Sequence, residues 1–411
     1  MNILMVLSSH GYPPDRRVER EARDLIRDGH KLFLMARRGP DQPVREVVDG
    51  VQVIRFPVFL EGRGVVSGLI FFLLHRYFIL FRILRACRRH RIEALHVHDL
   101  PYAFAVTLAG RLLDIPVVFD MHEHYTLMLK LSYQTSAYRK FRFLSAIQLT
   151  PLRIEESIAC RWAKKVIVVA DEHVSRVHRC GARRENIVVV TNTEDIDYFS
   201  GLPTDKSLMA NYRDDFVLLY IGGFSPHRGL DTAIEAMPAV LEKIPNARLL
   251  LIGAGTSRPD LERLAERMGL NDRITFVEFQ PFETLPSYIR LSDVGLIPHI
   301  STPHIETTMP NKIFHFMILG KPVVVSSTRP MMRVVYDADC GLVFQERNPQ
   351  SLADAVIQLA DEDLRRRLGE NGKRAAEDRY NWRETVQALL RIYRAGQVNV
   401  KAGSKQPQKE G

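Results

Sequence analysis

The chain has 411 residues, of which 46% are hydrophobic and 26% charged, with a formal net charge of +9. That length calls for roughly two domains of ~150–200 residues each, with the balance of a folded soluble protein. The basic excess permits phosphates, nucleic acid or an anionic membrane as partners and does not choose among them. The four cysteines, Cys87, Cys160, Cys180 and Cys340, lie far apart and form no CxxC pair. This speaks for a reducing cytosol and against a disulfide framework or zinc site.

The opening Met-Asn-Ile-Leu-Met-Val-Leu lacks a basic segment and a small-residue cleavage site, so residues 2–7 read as a first strand rather than a signal peptide. A Gly-Tyr-Pro-Pro loop follows. Asp15 is placed to cap a helix over 16–28, with Val18, Ala22, Leu25 and Ile26 on one face. Strands are expected at 31–36 and 51–55. Residues 65–91 are strongly apolar, with Leu69, Phe72, Phe78, Phe81 and Leu84, and carry Arg82, Arg85 and Arg89 on one stripe beside Arg88. Two readings stand equal: an amphipathic helix lying on an anionic membrane, or a core helix with a solvated basic edge. The longest uncharged apolar run there ends at His75 and Arg76, short of the ~20 residues a spanning helix needs.

Strand 94–97 runs into His98-Asp99, helix 101–113 follows, and strand 116–119 runs into Asp120-Met121-His122-Glu123. Open α/β sheets bind ligands at the carboxyl ends of strands, which makes these two His-carboxylate pairs candidate base, hydroxyl-orienting or acceptor groups. A helix is expected over 138–163, then strands at 166–169 and 187–190. Residues 192–213 are polar and read as a linker.

The second half repeats the alternation of strand and helix that marks a parallel, doubly wound sheet. Strand 216–221 opens into Gly222-Gly223 and Arg228 ahead of helix 230–243. Glycines there let a phosphate approach the backbone, and Arg228 adds a fixed charge suited to a diphosphate. Strand 249–252 precedes Gly253-Ala254-Gly255, equally readable as a plain turn. Helix 259–268, strand 274–277, helix 282–289 and strand 294–297 come next. The stretch 307–327 reads as a polar loop, a short helix and a buried strand. Pro310 suits its first turn, Ile313, Phe314, Met317 and Ile318 face a core, and Gly320 ends it. Asn311, Lys312 and His315 fall near its start. His299, His304 and His315 match no zinc-ligand spacing, so no metal is expected. Strand 341–344, helices 351–360 and 364–380, and a final helix from Trp382 capped by Asn381 complete the fold. A Lys-rich tail follows, expected to be disordered.

Together, Gly11-Tyr-Pro-Pro-Asp-Arg-Arg-Val-Glu-Arg-Glu-Ala, His96-Val-His-Asp, Phe119-Asp-Met-His-Glu, Tyr220-Ile-Gly-Gly with Arg228-Gly-Leu, Asp293-Val-Gly-Leu-Ile-Pro and Pro310-Asn-Lys-Ile-Phe-His-Phe-Met resemble the GT-B glycosyltransferases. The retaining nucleotide-sugar type called family four, or group one, is the nearest in pattern. The Gly320-Lys-Pro-Val segment and the Tyr380-Asn-Trp start of the last helix fit as well. The resemblance implies an α/β GT-B fold of two Rossmann-like domains facing a cleft: an acceptor domain over 1–195, a linker over 196–213 and a donor domain over 214–375. C-terminal helices over 376–396, for which a return to the first domain is open, and a tail over 397–411 complete that scheme.

It implies transfer of a sugar from a nucleotide diphosphate donor to a glycan or lipid-linked acceptor, in cell-envelope polysaccharide or glycolipid synthesis. The nucleotide sugar is a substrate and no cofactor is implied. His122, Arg228 and Lys312 are the implied catalytic groups. Gly222, Gly223, Phe224, Gly253, Phe279, Thr307, Thr308, Met309, Pro310, Asn311 and His315 would join the two cations around the donor. Gly11, Tyr12, Arg16, His98, Asp99, His122 and Glu123 would take the acceptor. The chain departs from the family where Thr307 and His315 occupy the two positions of a Glu-x7-Glu motif and Gly223 replaces an arginine. Two other classes remain beside the transferase: a nucleotide-sugar epimerase, and a GT-B partner protein with impaired turnover. The location expected is the cytoplasm, with a peripheral place on the inner face of the plasma membrane through 65–91. Basic residues are spread through helices without a recognition module, so no nucleic-acid partner is expected.

Overall fold

The computed structural model describes residues 1–57, 65–122, 124–135 and 142–394. They form two compact units. Unit 1 holds 1–169, 173–190 and the chain from 386, and unit 2 holds 170–172 and 191–385.

Unit 1 is built on a sheet of β1 (Asn2–Gly11), β2 (Lys31–Arg37), β3 (Arg45–Val48), β4 (Val51–Phe56), β5 (Ala94–His98), β6 (Val117–Met121), β7 (Lys165–Val168) and β8 (Ile187–Val189). Their order is β3-β4-β2-β1-β5-β6-β7-β8, parallel except for β3, which runs antiparallel to β4. Ile3 to Leu7 and every residue of β5 and β6 are buried, as expected of strands covered on both faces. Asp15 caps helix Arg16–Arg27, its carboxylate accepting the Val18 N–H at 3.1 Å, and Val18, Ala22 and Leu25 are buried. Helix Val65–His90 packs Ile79, Ile83, Ala86 and Cys87 inward and turns Tyr77, Phe81, Arg85 and Arg89 outward. The side chains of Leu69 and Phe72 lie outside the described residues.

Sequence patterning overlooked β3, whose four residues sit at the sheet edge with Arg45 and Val47 exposed. It also overlooked helices Tyr125–Thr135 and Asp171–Arg179. The helix expected over 138–163 runs Arg142–Trp162, with Pro151 inside it.

Unit 2 is a parallel sheet of β9 (Phe216–Ile221), β10 (Ala247–Ile252), β11 (Ile274–Val277), β12 (Val294–Ile297), β13 (Val323–Ser326) and β14 (Gly341–Phe344), in the order β11-β10-β9-β12-β13-β14. The stretch read as a linker instead carries helices Ile196–Gly201 and Lys206–Ala210, capped by Asp195 and Asp205. Phe199 anchors it, fully buried against Phe282 and His315, and Ile196, Leu202, Leu208 and Tyr212 pack against the same core, so scattered apolar residues fixed what composition read as loose. The short helix of 307–327 begins later than expected, at Lys312. Pro310 stays outside it and accepts the Ile313 N–H through its carbonyl. Helix Arg329–Ala338 was not anticipated.

In unit 2 the chain order reverses between β9 and β12, and in unit 1 between β1 and β5. Loops leaving neighbouring strands at such a point diverge and open a crevice at the carboxyl ends. In unit 2 these are the loops after Ile221 and Ile297, and in unit 1 those after Gly11 and His98.

Candidate active site

In unit 2 the loop after β9 and the loop after β10 interlock. Gly222 donates its N–H to Ile252 and Phe224 donates to the Ala254 carbonyl. Both Gly222 (φ +142) and Gly253 (φ +146) use backbone regions that favour glycine. A Cβ on Gly253 would lie 1.9 Å from the Gly222 carbonyl, and one on Gly222 would lie 2.7 Å from Lys312 Nζ. Gly222 therefore clears the space that Lys312 occupies, and Gly253 lets the two loops meet. Its ammonium sits 3.9 Å from the centre of the Tyr220 ring, whose hydroxyl donates to the Gly223 carbonyl at 2.9 Å. Arg228, in a one-turn helix Pro226–Arg228, reaches across the switch point to His299 Nε2 at 3.2 Å. Burial and then Arg228 push the Lys312 ammonium well below its ordinary range. Burial, Arg228 and Lys312 do the same to His299, which is therefore a neutral acceptor for Arg228. His227 and His304 are each pushed down to about 4, by burial first. Among the described residues neither Arg228 nor Lys312 has a carboxylate partner.

The other donor candidates divide. Phe279 is 76% exposed beyond β11, whereas Phe224 and Met309 are buried in the core. The Thr307 hydroxyl donates to Pro303 and His304 carbonyls, and that of Thr308 donates to His304. Asn311 is exposed at the head of the helix. His315 is buried, stacks on Phe199 at 4.5 Å, and lies 3.5 Å from Glu194. Glu306, one position before Thr307, is taken up by Arg329 at 2.7 Å and by the Ser301 hydroxyl at 2.8 Å.

In unit 1 a buried polar network centres on Asp120. Arg17 grips it with Nε at 3.1 Å and Nη2 at 3.0 Å, donates Nη1 to the Val190 carbonyl, and lies 2.9 Å from Glu21. His122 Nε2 stands 3.2 Å from Asp120 and 3.2 Å from His98 Nδ1, and His122 Nδ1 is 3.5 Å from Asp99. Asp99 (φ +61) turns back to accept the His122 N–H at 3.2 Å. Burial opposes charge on His122, but Asp99 and Asp120 outweigh it and raise the imidazole to about 10. Burial and His96 push His98 down to about 3. Burial lifts Glu21 to about 8 against the pull of Arg17, while Arg17 and His122 hold Asp120 well below the carboxylate range despite its burial. Glu21, His96, His98 and Asp120 converge within 4.8 Å, a spacing that suits a cation, and the Arg17 guanidinium already lies against both carboxylates.

Of the acceptor candidates, His98, Asp99 and His122 come together. Gly11 ends β1, and Tyr12 is buried with its carbonyl held by Arg55 at 2.7 Å. Arg16 faces Glu19 on the helix surface. Glu123 lies outside the described residues. Sequence reading chose Arg16, but Arg17 joins the site, and Glu21, His96 and Tyr393 join with it. The available signals were Arg17 and Glu21 four apart on one helix, and His96 and His98 two apart on one strand face.

Residues 14–193 match the model of a glycosyl transferase 4-like domain, and residues 205–375 match that of glycosyl transferases group 1. The chain belongs to the group 1 glycosyl transferases, of GT-B type. An uncharacterised glycosyltransferase of Methanocaldococcus jannaschii is 29% identical over 182 residues, 44% of this chain and 45% of that protein, so the chain spans about half of that relative. The alpha-D-kanosaminyltransferase of Streptomyces kanamyceticus is 25% identical over 391 residues, 90% of this chain and 91% of that protein. The structure of HepE from Anabaena in complex with UDP and glucose has a TM-score of 0.69 at 18% identity, covering 96% of this chain and 99% of that one. In this group 1 chain, as in its structural neighbours, two Rossmann-like parallel sheets supply the scaffold.

Proposed function

We propose that this group 1 protein transfers a sugar from a nucleoside diphosphate donor to a glycan or lipid-linked acceptor in cell-envelope polysaccharide or glycolipid synthesis, with retention of anomeric configuration. The observation behind this reading is the pair Arg228 and Lys312, two converging cations at a switch-point crevice without a carboxylate partner among the described residues. An unpaired cation held partly out of water is costly, and a diphosphate is the anion that a guanidinium fork and a glycine loop accommodate together. As the glycosyl bond breaks, charge grows on the departing diphosphate, and preset positive groups stabilise that charge most in the transition state. These cations supply the charge a divalent metal otherwise would. His122, charged between Asp99 and Asp120, acts as a hydrogen-bond donor to a sugar hydroxyl rather than as a base. His315 replaces a glutamate toward the ribose, and the exposed Phe279 offers a face for the base. The work takes place in the cytoplasm. Helix Val65–His90, with Tyr77 and Phe81 outward, supports a peripheral contact with an anionic membrane; no helix among the described residues is long and apolar enough to cross one.

The test is release of nucleoside diphosphate from a panel of uridine and guanosine diphosphate sugars, with a lipid and glycan extract as acceptor. Arg228→Gln and Lys312→Gln should each lower kcat by about 10²–10³, the range for losing one oxyanion-stabilising group. Unchanged turnover in both variants would overturn the assignment.

A further inference from the structure

A cavity of ≈ 300 Å³ lies in unit 1 between the C-terminal half of helix Val65–His90 and strands β2, β3 and β4. Ile54 and Phe78 form its apolar floor, and Arg45, Arg82, Arg85 and Arg89 surround it. Three of these arginines come from one helix at spacings of three and four, and Arg45 comes from the edge strand opposite. The Arg82 guanidinium lies 5.4 Å over the Phe78 ring, with Nη2 at 3.5 Å from the Arg55 carbonyl. No acidic side chain lines the cavity, and among the described residues none of the four arginines is paired with a carboxylate. The nearby Glu46 is engaged by the buried Arg55. Arg82 is held below its ordinary range by burial and then by Arg45 and Arg85, so like charges face one another across the recess.

Four like charges around an apolar floor focus a positive field and gain nothing until an anion enters. One carboxylate neutralises one of them, whereas a phosphate or diphosphate offers several acceptor oxygens in the geometry that guanidinium forks match. The volume falls at the small end of the range for small-molecule pockets. We propose that this pocket is a second ligand site of the protein, binding a phosphate or diphosphate group through Arg45, Arg82, Arg85 and Arg89. It is separate from the Arg228 and Lys312 site and does not rest on the transferase reading. The phosphate is either free or the head of an amphiphile, and the shared chemistry is the same.

The probe is inorganic pyrophosphate, titrated calorimetrically into the full chain carrying Arg228→Gln and Lys312→Gln, so that the donor site does not compete. A saturable one-to-one isotherm is expected. Adding Arg82→Gln with Arg85→Gln should weaken it at least about tenfold, since each charge-assisted hydrogen bond lost is worth about that factor. Arg45→Gln, on an exposed edge residue that folding does not need, should weaken it about threefold or more. A parallel arm measures co-sedimentation with phosphatidylcholine vesicles with and without phosphatidate. Phosphatidate-dependent sedimentation lost in the same variants assigns a lipid head group, and pyrophosphate binding alone assigns a free phosphate. No saturable pyrophosphate binding, an isotherm that all the substitutions leave unchanged, or vesicle binding without pyrophosphate binding would overturn the pocket.

Discussion

His122 shows how far neighbours can move one side chain. Its imidazole stands between Asp120 and Asp99 at 3.2 and 3.5 Å, and its value rises to about 10. A folded-state value above the unfolded one means that the charge stabilises the fold fully below about pH 6.5 and that this contribution fades as pH rises through about 10. His98, in contact with it, moves the opposite way to about 3 and stays neutral. Nuclear magnetic resonance titration should find His122 protonated past about pH 8 and His98 neutral down to about pH 4, where ordinary histidines change charge near 6.5. Asp120→Asn should bring His122 down toward its ordinary value. It should also cost about 3–5 kcal/mol in urea denaturation, because Arg17 would be left buried beside a single carboxylate. An unshifted His122 in the parent protein would remove the case for its role as a charged donor.

Elements rather than residues set the shape of the donor loop. The loops after β9 and β10 are in backbone contact, and Gly253 and Gly255 are what their approach requires. Gly253→Ala would drive a Cβ into the Gly222 carbonyl, an obstacle made of backbone, whereas Gly222→Ala meets side-chain atoms, the flexible end of Lys312 at 2.7 Å and the Tyr220 hydroxyl at 3.3 Å. The first should therefore cost about 3 kcal/mol or more in thermal or urea unfolding. The second should cost less in stability but displace the ammonium and weaken uridine or guanosine diphosphate binding. Calorimetry and unfolding measured on the same two variants separate these effects. Equal stability losses with intact nucleotide binding would show that the glycines serve packing alone.

At the scale of the whole molecule, the last helix, Trp382–Tyr393, joins distant parts of the chain. Its start belongs to unit 2, where the Trp382 N–H donates to the Glu194 carbonyl, and its end belongs to unit 1. There the buried Tyr393 hydroxyl lies 2.9 Å from His96 Nδ1, and Arg394 pairs with Asp28 at 2.9 Å. Tyr393→Phe should destabilise the chain by about 1–2 kcal/mol, the cost of an unmet buried hydrogen bond, while Arg394→Gln, on the surface, should cost under about 1 kcal/mol. Urea denaturation of both variants checks the contrast. Local pattern alone determined the alternating strands and helices, the Asp15 and Asn381 caps, the glycine loop, and the two polar clusters at strand ends, because periodicity, capping and turn chemistry act within a few residues. Sequence spacing did not reach the pairing of Arg17 with Asp120 across 103 positions, the burial of Phe199 in a polar stretch, the edge strand that brings Arg45 opposite Arg82, or the opposed charge states of His98 and His122. Those were decided by tertiary packing, since desolvation and Coulomb energy depend on distance in space, which strand order fixes and neighbouring residues do not.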